Sequence, residues 1–165
     1  MWYAVQTMAG KEEAVKHEAE LLIPDADFRV LYRKGSFKYK GSWKRKNLAL
    51  FPGYLFVITD DPRSIVRGLR KVSDFARIVS FDDELIPISA SEQHILETLV
   101  GDGDTAENSM GFTEGDEVIV TDGPLVGLES RIARIDRHKR LAFVEFNMGS
   151  RIVEIRLELE IIDKR

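Results

Sequence analysis

Residues 2–7 (WYAVQT) are rich in β-branched and aromatic positions, the pattern of a strand, and Gly10 punctuates its end. The period then changes. In residues 11–22 (KEEAVKHEAELL), followed by Ile23, the apolar Ala14, Val15, Ala19, Leu22 and Ile23 share one helical face with charge opposite, and Pro24 stops the helix. Phe28, Val30 and Tyr32 alternate with Arg29 and Leu31, predicting a second strand. That strand enters a polar stretch containing Gly35, Ser36, Gly41 and Ser42, whose tip is expected to be a mobile loop. Residues 50–58 (LFPGYLFVI) set a Pro-Gly turn before a near-continuous apolar run, the pattern of a buried central strand. A short amphipathic helix over 63–71, a strand over 76–81 and a helix over 91–100, with Ser91 as its N-cap, complete the first part. The order β-α-β-β-α-β-α predicts an antiparallel α+β sandwich of ferredoxin-like character over residues 1–100.

Residues 101–111 (GDGDTAENSMG) break both periods. They are small, polar and acidic, which predicts a flexible linker and hence two domains. In 112–165 the short β runs EVIVT, SRIARI, LAFVEF, RIVEIRL and EIID are separated by the turns TDGP, DRHKR and NMGS. Five strands at that spacing predict a small, strongly bent β-barrel. Gly115, Gly123 and Gly127 are expected to serve its turns, Gly127 where a Cβ would clash.

Composition changes this picture little until charge is placed along the chain. The net charge of −4 conceals residues 29–46, which hold eight Lys or Arg and no acid. Phe37, Tyr39 and Trp43 interleave with these cations, a combination suited to phosphates and unpaired bases. The candidates here are Arg33, Lys34, Lys38, Lys40, Trp43, Lys44, Arg45 and Lys46. The bland alternative is a solvated hairpin that touches nothing. A second basic group comprises Arg131, Arg134, Arg137, His138, Lys139, Arg140 and Arg151. Because 112–165 carries nine Lys/Arg against eleven Asp/Glu, any RNA-binding face there must be local.

The chain contains no cysteine, so disulfides, thiolate metal sites and a cysteine nucleophile are excluded. His17, His94 and His138 fall on separate predicted elements, and GPLVG lacks the Gly-Lys-Ser/Thr ending of a phosphate-binding loop. The acid groups Asp60-Asp61 and Asp82-Asp83-Glu84 sit beside predicted turns, where acids are common. No catalytic residue, cofactor or metal is therefore expected. No signal sequence and no apolar run of about 20 residues is found, so the expectation is a cytoplasmic protein without a membrane contact.

Three segments in fixed order resemble the NusG family of transcription factors: WYAVQTMAGKEEAV, LFPGYLFV and a stretch whose G-D-x-V-x-V-x-D-G-P-x-x-G core runs from Gly115 to Gly127. The last resembles a KOW domain, and together the three span nearly the whole chain. The resemblance implies a monomer with an N-terminal domain (1–100) that docks on the clamp of the largest RNA polymerase subunit, a linker (101–111) and a KOW barrel (112–165). It places Trp2, Tyr3, Phe51 and Tyr54 at the polymerase patch. Trp2 and Phe51 are expected to be exposed there, as aromatic anchors of an interface. Tyr3 and Tyr54 are equally open to being core. It places 29–46 near upstream or non-template DNA.

At barrel positions where general family members present aromatic side chains to protein partners, this chain has Leu125, Leu128 and Met148, followed by Gly149-Ser150. With the basic 29–46 segment, that departure resembles the LoaP group of operon-specific antiterminators, in which the barrel can recognise a leader RNA hairpin. Two alternatives stand beside it: a general NusG that couples polymerase to protein partners, and a ribosome- or RNA-associated KOW adaptor. Exposure of Trp2 and Phe51 favours a transcription factor, and burial of both favours the adaptor.

Overall fold

The computed structural model describes residues 1–162, so the last three residues of the expected barrel, 163–165, lie outside the described residues. Its elements in chain order begin with β1 (Trp2–Thr7), α1 (Glu12–Leu22), β2 (Asp27–Arg29), β3 (Tyr32–Tyr39), β4 (Ser42–Ala49) and β5 (Tyr54–Ile58). There follow α2 (Pro62–Leu69), β6 (Ala76–Ile78), β7 (Ser80–Phe81), β8 (Glu84–Leu85), α3 (Ala90–Val100) and β9 (Thr105–Ala106). The series ends with β10 (Ser109–Glu114), β11 (Glu117–Asp122), β12 (Ile132–Asp136), β13 (Leu141–Asn147) and β14 (Ile152–Ile161). Among the described residues no helix is long and apolar enough to cross a membrane.

The chain divides into two compact units that interleave in sequence. The first comprises Met1–Val30, Phe51–Ile95 and Asn147–Val153; the second comprises Leu31–Leu50, Leu96–Phe146 and the residues from Glu154 onward. The first unit is built on an antiparallel four-stranded sheet of order β2-β5-β1-β6, the arrangement of a ferredoxin-like β-α-β-β-α-β unit. The apolar run of β5 lies centrally, with Leu55, Phe56 and Val57 fully buried. Val15 and Ala19 of α1 and Ile65 and Leu69 of α2 are buried too. Asp61 caps α2 by accepting from Ser64 N at 3.3 Å, ahead of Pro62 in the first turn. The cap of α3 is Ser89 rather than Ser91: Glu92 N donates to Ser89 Oγ at 3.2 Å, because the helix begins at Ala90.

In the second unit a five-stranded sheet of order β11-β10-β14-β13-β12 corresponds to the expected barrel. Two of its strands differ from the sequence expectation. The runs RIVEIRL and EIID are joined by one ten-residue strand, β14, which takes in Ile152–Leu157 of the first and Glu160 and Ile161 of the second, since Ile155, Leu157 and Leu159 keep a single buried face through Glu158 and Glu160. The strand β10 begins at Ser109, inside the segment expected to be a linker. That segment, 101–111, also holds a 3-10 turn at Gly101–Gly103 and β9, which pairs in parallel with β3. Its small, polar residues mask the backbone pairing that orders it. Gly111 is needed there: a Cβ would sit 2.4 Å from the Ile119 carbonyl oxygen, at a bulge between β10 and β11. Gly127, in contrast, meets nothing within 4 Å, so its φ of +82° explains the glycine and no clash does.

The basic stretch is strand on both sides of a two-residue turn, in place of the loop expected at its tip. β3 and β4 form a regular hairpin with eight paired positions, from Tyr32↔Ala49 to Tyr39↔Ser42. Lys40 and Gly41 close it with φ of 50° and 79°, the doubly positive geometry of a two-residue type I′ turn.

Candidate nucleic-acid interface

Register decides which cations and rings share a face of the hairpin. Phe37 pairs with Lys44, and Gly35 with Lys46, on one face; Lys38 pairs with Trp43, and Ser36 with Arg45, on the other. Each face carries a cation over a ring. Lys46 Nζ lies 4.9 Å from the Phe37 ring centre, and Lys38 Nζ lies 5.8 Å from that of Trp43. At the tip, Lys40 Nζ lies 5.4 Å from the Tyr39 ring. Trp43 is 67 % exposed and Tyr39 56 %, so the hairpin holds large aromatic surfaces in solvent beside Lys38, Lys40 and Lys44. Their exposure is imposed by an antiparallel ladder in which neither face of the outer half is covered.

Midway along the hairpin, at the Ser36↔Arg45 pair, a cation is engaged. Arg45 Nη1 donates to Glu158 Oε1 at 2.9 Å, and Ser36 Oγ donates to Glu158 Oε2 at 3.3 Å. Burial lowers the affinity of the half-buried Arg33 for its proton; Arg156 adds to the effect and Glu158 opposes it. Lys34 is half-buried nearby in sequence, whereas Lys44 and Lys46 are exposed.

The second basic group does not form one patch. His138, Lys139 and Arg140 are exposed in the turn between β12 and β13, where Asp136 Oδ1 accepts from Lys139 N at 2.9 Å. Arg137 donates to the Thr113 hydroxyl at 3.2 Å. Arg134 lies 3.5 Å from the centre of the Phe143 ring and pairs with Glu154 at 3.5 Å; Arg131 stands 5.5 Å from the Phe146 ring. Arg156, which sequence reasoning passed over, covers the same Phe143 ring at 5.5 Å. Its signal was its place among the outward alternate positions of β14. Arg151 belongs to the first unit, where Nη1 donates to Gln6 Oε1 at 2.8 Å and to the Tyr54 hydroxyl at 3.2 Å. Grouping it with the barrel cations is therefore corrected: its fixed partners are on β1 and β5.

The expected exposure of Trp2 and Phe51 is also corrected. Trp2 is 2 % exposed and Phe51 1 %. Trp2 packs on Phe56 at 5.7 Å with Arg29 at 5.6 Å over its ring, and Phe51 meets Phe56 edge-on at 5.3 Å. Rings of this size gain most when buried, and an aromatic neighbour on a central strand provides the place. Tyr3 is buried as well, and Tyr54 is half-buried.

Residues 1–97 match the family described as transcription termination factor nusG. The transcription termination/antitermination protein NusG of Lactococcus lactis is 31% identical, with 98% of this chain and 91% of that protein covered. The chain belongs to the NusG family. The NusG of Thermus thermophilus is 29% identical over 99% of this chain and 97% of that protein. A solved structure of Thermotoga maritima NusG, described for a domain interaction in that protein, matches with a TM-score of 0.55 at 25% identity, covering 96% of this chain and 92% of that one. This NusG-family chain is a transcription termination/antitermination factor of mixed α+β fold with a five-stranded sheet compatible with a KOW domain. Burial of Trp2 and Phe51 was the sign set for a ribosomal or RNA-associated adaptor. The family match over residues 1–97, which contain both rings, decides against that reading, and the burial bears only on which side chains can serve as anchors.

Proposed function

We propose that this NusG-type factor binds RNA polymerase through residues of the 1–100 region and RNA through its basic hairpin and barrel, promoting read-through of terminators in particular operons. The observation that supports nucleic-acid binding is the pairing of exposed rings with lysines on both faces of β3–β4, where Trp43 and Tyr39 stand in solvent. A solvated hairpin has no use for such aromatic surface, whereas bases stack on it and lysines neutralise phosphates. Of the three positions expected to serve a protein partner, Leu125 of the second unit and Met148, which falls in the first, are fully buried, and Leu128 is half-exposed. This favours an RNA-recruited factor over a general NusG that couples polymerase to other proteins. For polymerase, Tyr54 is the accessible member of the four expected residues, beside the exposed Pro52.

The test is terminator read-through by purified polymerase with and without the intact protein, paired with RNA binding over a salt series. Read-through confined to templates whose leader RNA binds tightly supports the proposal. Equal effects on all templates, with weak and indiscriminate RNA binding, would replace it with a general elongation role.

A further inference from the structure

The helix α2 carries Arg63 and Arg67, and its C-cap Arg70 keeps helical φ and ψ, so three exposed arginines at i, i+4 and i+7 share one face. With Asp82, Asp83 and Glu84 they line an open groove of about 670 Å³ whose apolar lining includes Val66 and Leu85. Both signs of charge border this groove, yet among the described residues none of the six forms an ion pair. Arg63 and Arg67 are instead a like-charge i, i+4 pair, which disfavours a helix. Across from them Asp82 and Asp83 have φ of 49° and 62°, a doubly positive turn in which glycine is the usual second residue.

An adjoining cavity of about 530 Å³ shares Val66, Arg70, Asp83 and Leu85 with the groove and adds Phe75 and Arg77. Phe75 is 46% exposed, and Arg77 lies 5.2 Å from its ring centre. The Thr7 hydroxyl donates to the Phe75 carbonyl oxygen at 2.6 Å and fixes the backbone there. All of these residues belong to the first unit. Clustered guanidinium groups take phosphates through paired N–H bonds, and an exposed ring beside an arginine stacks a base. Among the described residues no group of acids is arranged to hold a metal by itself. One or two carboxylates do hold Mg²⁺ when phosphates complete its shell. The same acids decide against a nucleic-acid strand, whose backbone along the groove would set phosphates against Asp82, Asp83 and Glu84. A free nucleotide ends within the groove, and sites of about 300–1,000 Å³ suit ligands of that size.

We infer that the α2 groove binds a nucleoside 5′-polyphosphate with Mg²⁺: phosphates on Arg63, Arg67 and Arg70, the base on Phe75, and the cation between the phosphates and Asp83. The site is independent of the nucleic-acid reading of the hairpin. A bound polyanion neutralises the like-charge pair on α2, so the ligand also stabilises the fold.

The test is calorimetric titration of the full chain with ATP, inorganic triphosphate and adenosine, each with Mg²⁺. ATP is expected to bind about tenfold or more tighter than the other two and to raise the midpoint of thermal unfolding. The exposed double variant Arg67→Gln, Arg70→Gln should weaken ATP binding by about tenfold or more, with an unchanged circular dichroism spectrum as fold control. Phe75→Ala should weaken ATP by about tenfold and leave inorganic triphosphate unchanged. Asp83→Asn, which suits the same left-handed backbone, should remove the gain in ATP affinity that Mg²⁺ brings over EDTA. Trp43→Ala on the hairpin should leave ATP binding unchanged, so failure of this site and failure of the hairpin reading are told apart. Absence of ATP binding, or equal binding by the arginine variant, would overturn the site. Equal affinity for inorganic triphosphate would overturn the nucleoside. Tighter binding of a short single-stranded DNA, lost in the same arginine variant, would overturn the choice of a free nucleotide.

Discussion

Glu12 Oε1 accepts a hydrogen bond from Gly53 N at 3.0 Å, joining the first turn of α1 to the Pro-Gly turn that precedes β5. The same carboxylate accepts from Gly10 N through both oxygens, at 3.1 and 2.9 Å. Two of the segments that identify the family are thus held together by one buried acid. Glu12→Ala would leave the Gly10 and Gly53 amides without this acceptor. We expect a loss of about 2–4 kcal/mol, since each orphaned group costs about 1–3 kcal/mol. Urea unfolding checks it, as a lower midpoint at unchanged slope.

Trp2→Ala and Phe51→Ala should each destabilise the chain by about 3–5 kcal/mol, because both rings are core and their removal opens a cavity. A change of less than 1 kcal/mol in thermal or urea unfolding would show that the rings are not packed as described. Loss of polymerase binding in these variants would therefore carry no information without a fold control. Tyr54→Phe keeps the ring and removes the hydroxyl that accepts from Arg151, so it is the gentler probe of that surface.

The hairpin turn makes a torsional prediction. Gly41 has nothing within 4 Å of the place a Cβ would occupy, so Gly41→Val costs only its positive φ, about 1–2 kcal/mol. Lys40→Asn should act in the opposite direction, because Asn suits the first position of a type I′ turn. Amide exchange in β3 and β4 should quicken in the first variant and slow in the second. Identical exchange in both would contradict the turn assignment.

Glu158 holds the middle of the hairpin with a side chain that is only 12% exposed. Glu158→Gln should loosen β3–β4 by about 1 kcal/mol, a value discounted because Arg45 is half in solvent. On the proposed nucleic-acid reading of the hairpin, two contributions to affinity then oppose each other. Removing a negative charge beside cations favours binding, whereas loss of the anchor disfavours it. Weaker binding of single-stranded RNA in this variant would indicate that placement of the hairpin dominates, and tighter binding would indicate that charge does.

Much of the molecule follows from the sequence because its cause is local. The period of α1, the apolar run of β5 and the alternation of β13 each identify an element, and the density of cations over 29–46 marks the candidate interface before any fold is known. Local pattern failed where order depends on a distant partner. Residues 101–111 resemble a linker, yet they supply β9 to pair with β3 and the start of β10 to pair with β11. The burial of Trp2 and Phe51 depends on Phe56, across the sheet or beyond the turn. Arg151 reads as one more barrel cation until it is found donating to Gln6 and Tyr54. Sequence by itself determined the elements whose pattern is local, the resemblance to the family and the presence of cations and rings. Tertiary structure decided which rings face water, which cations are already engaged and which distant segments meet at β14, because burial and pairing are set by residues far away in the chain.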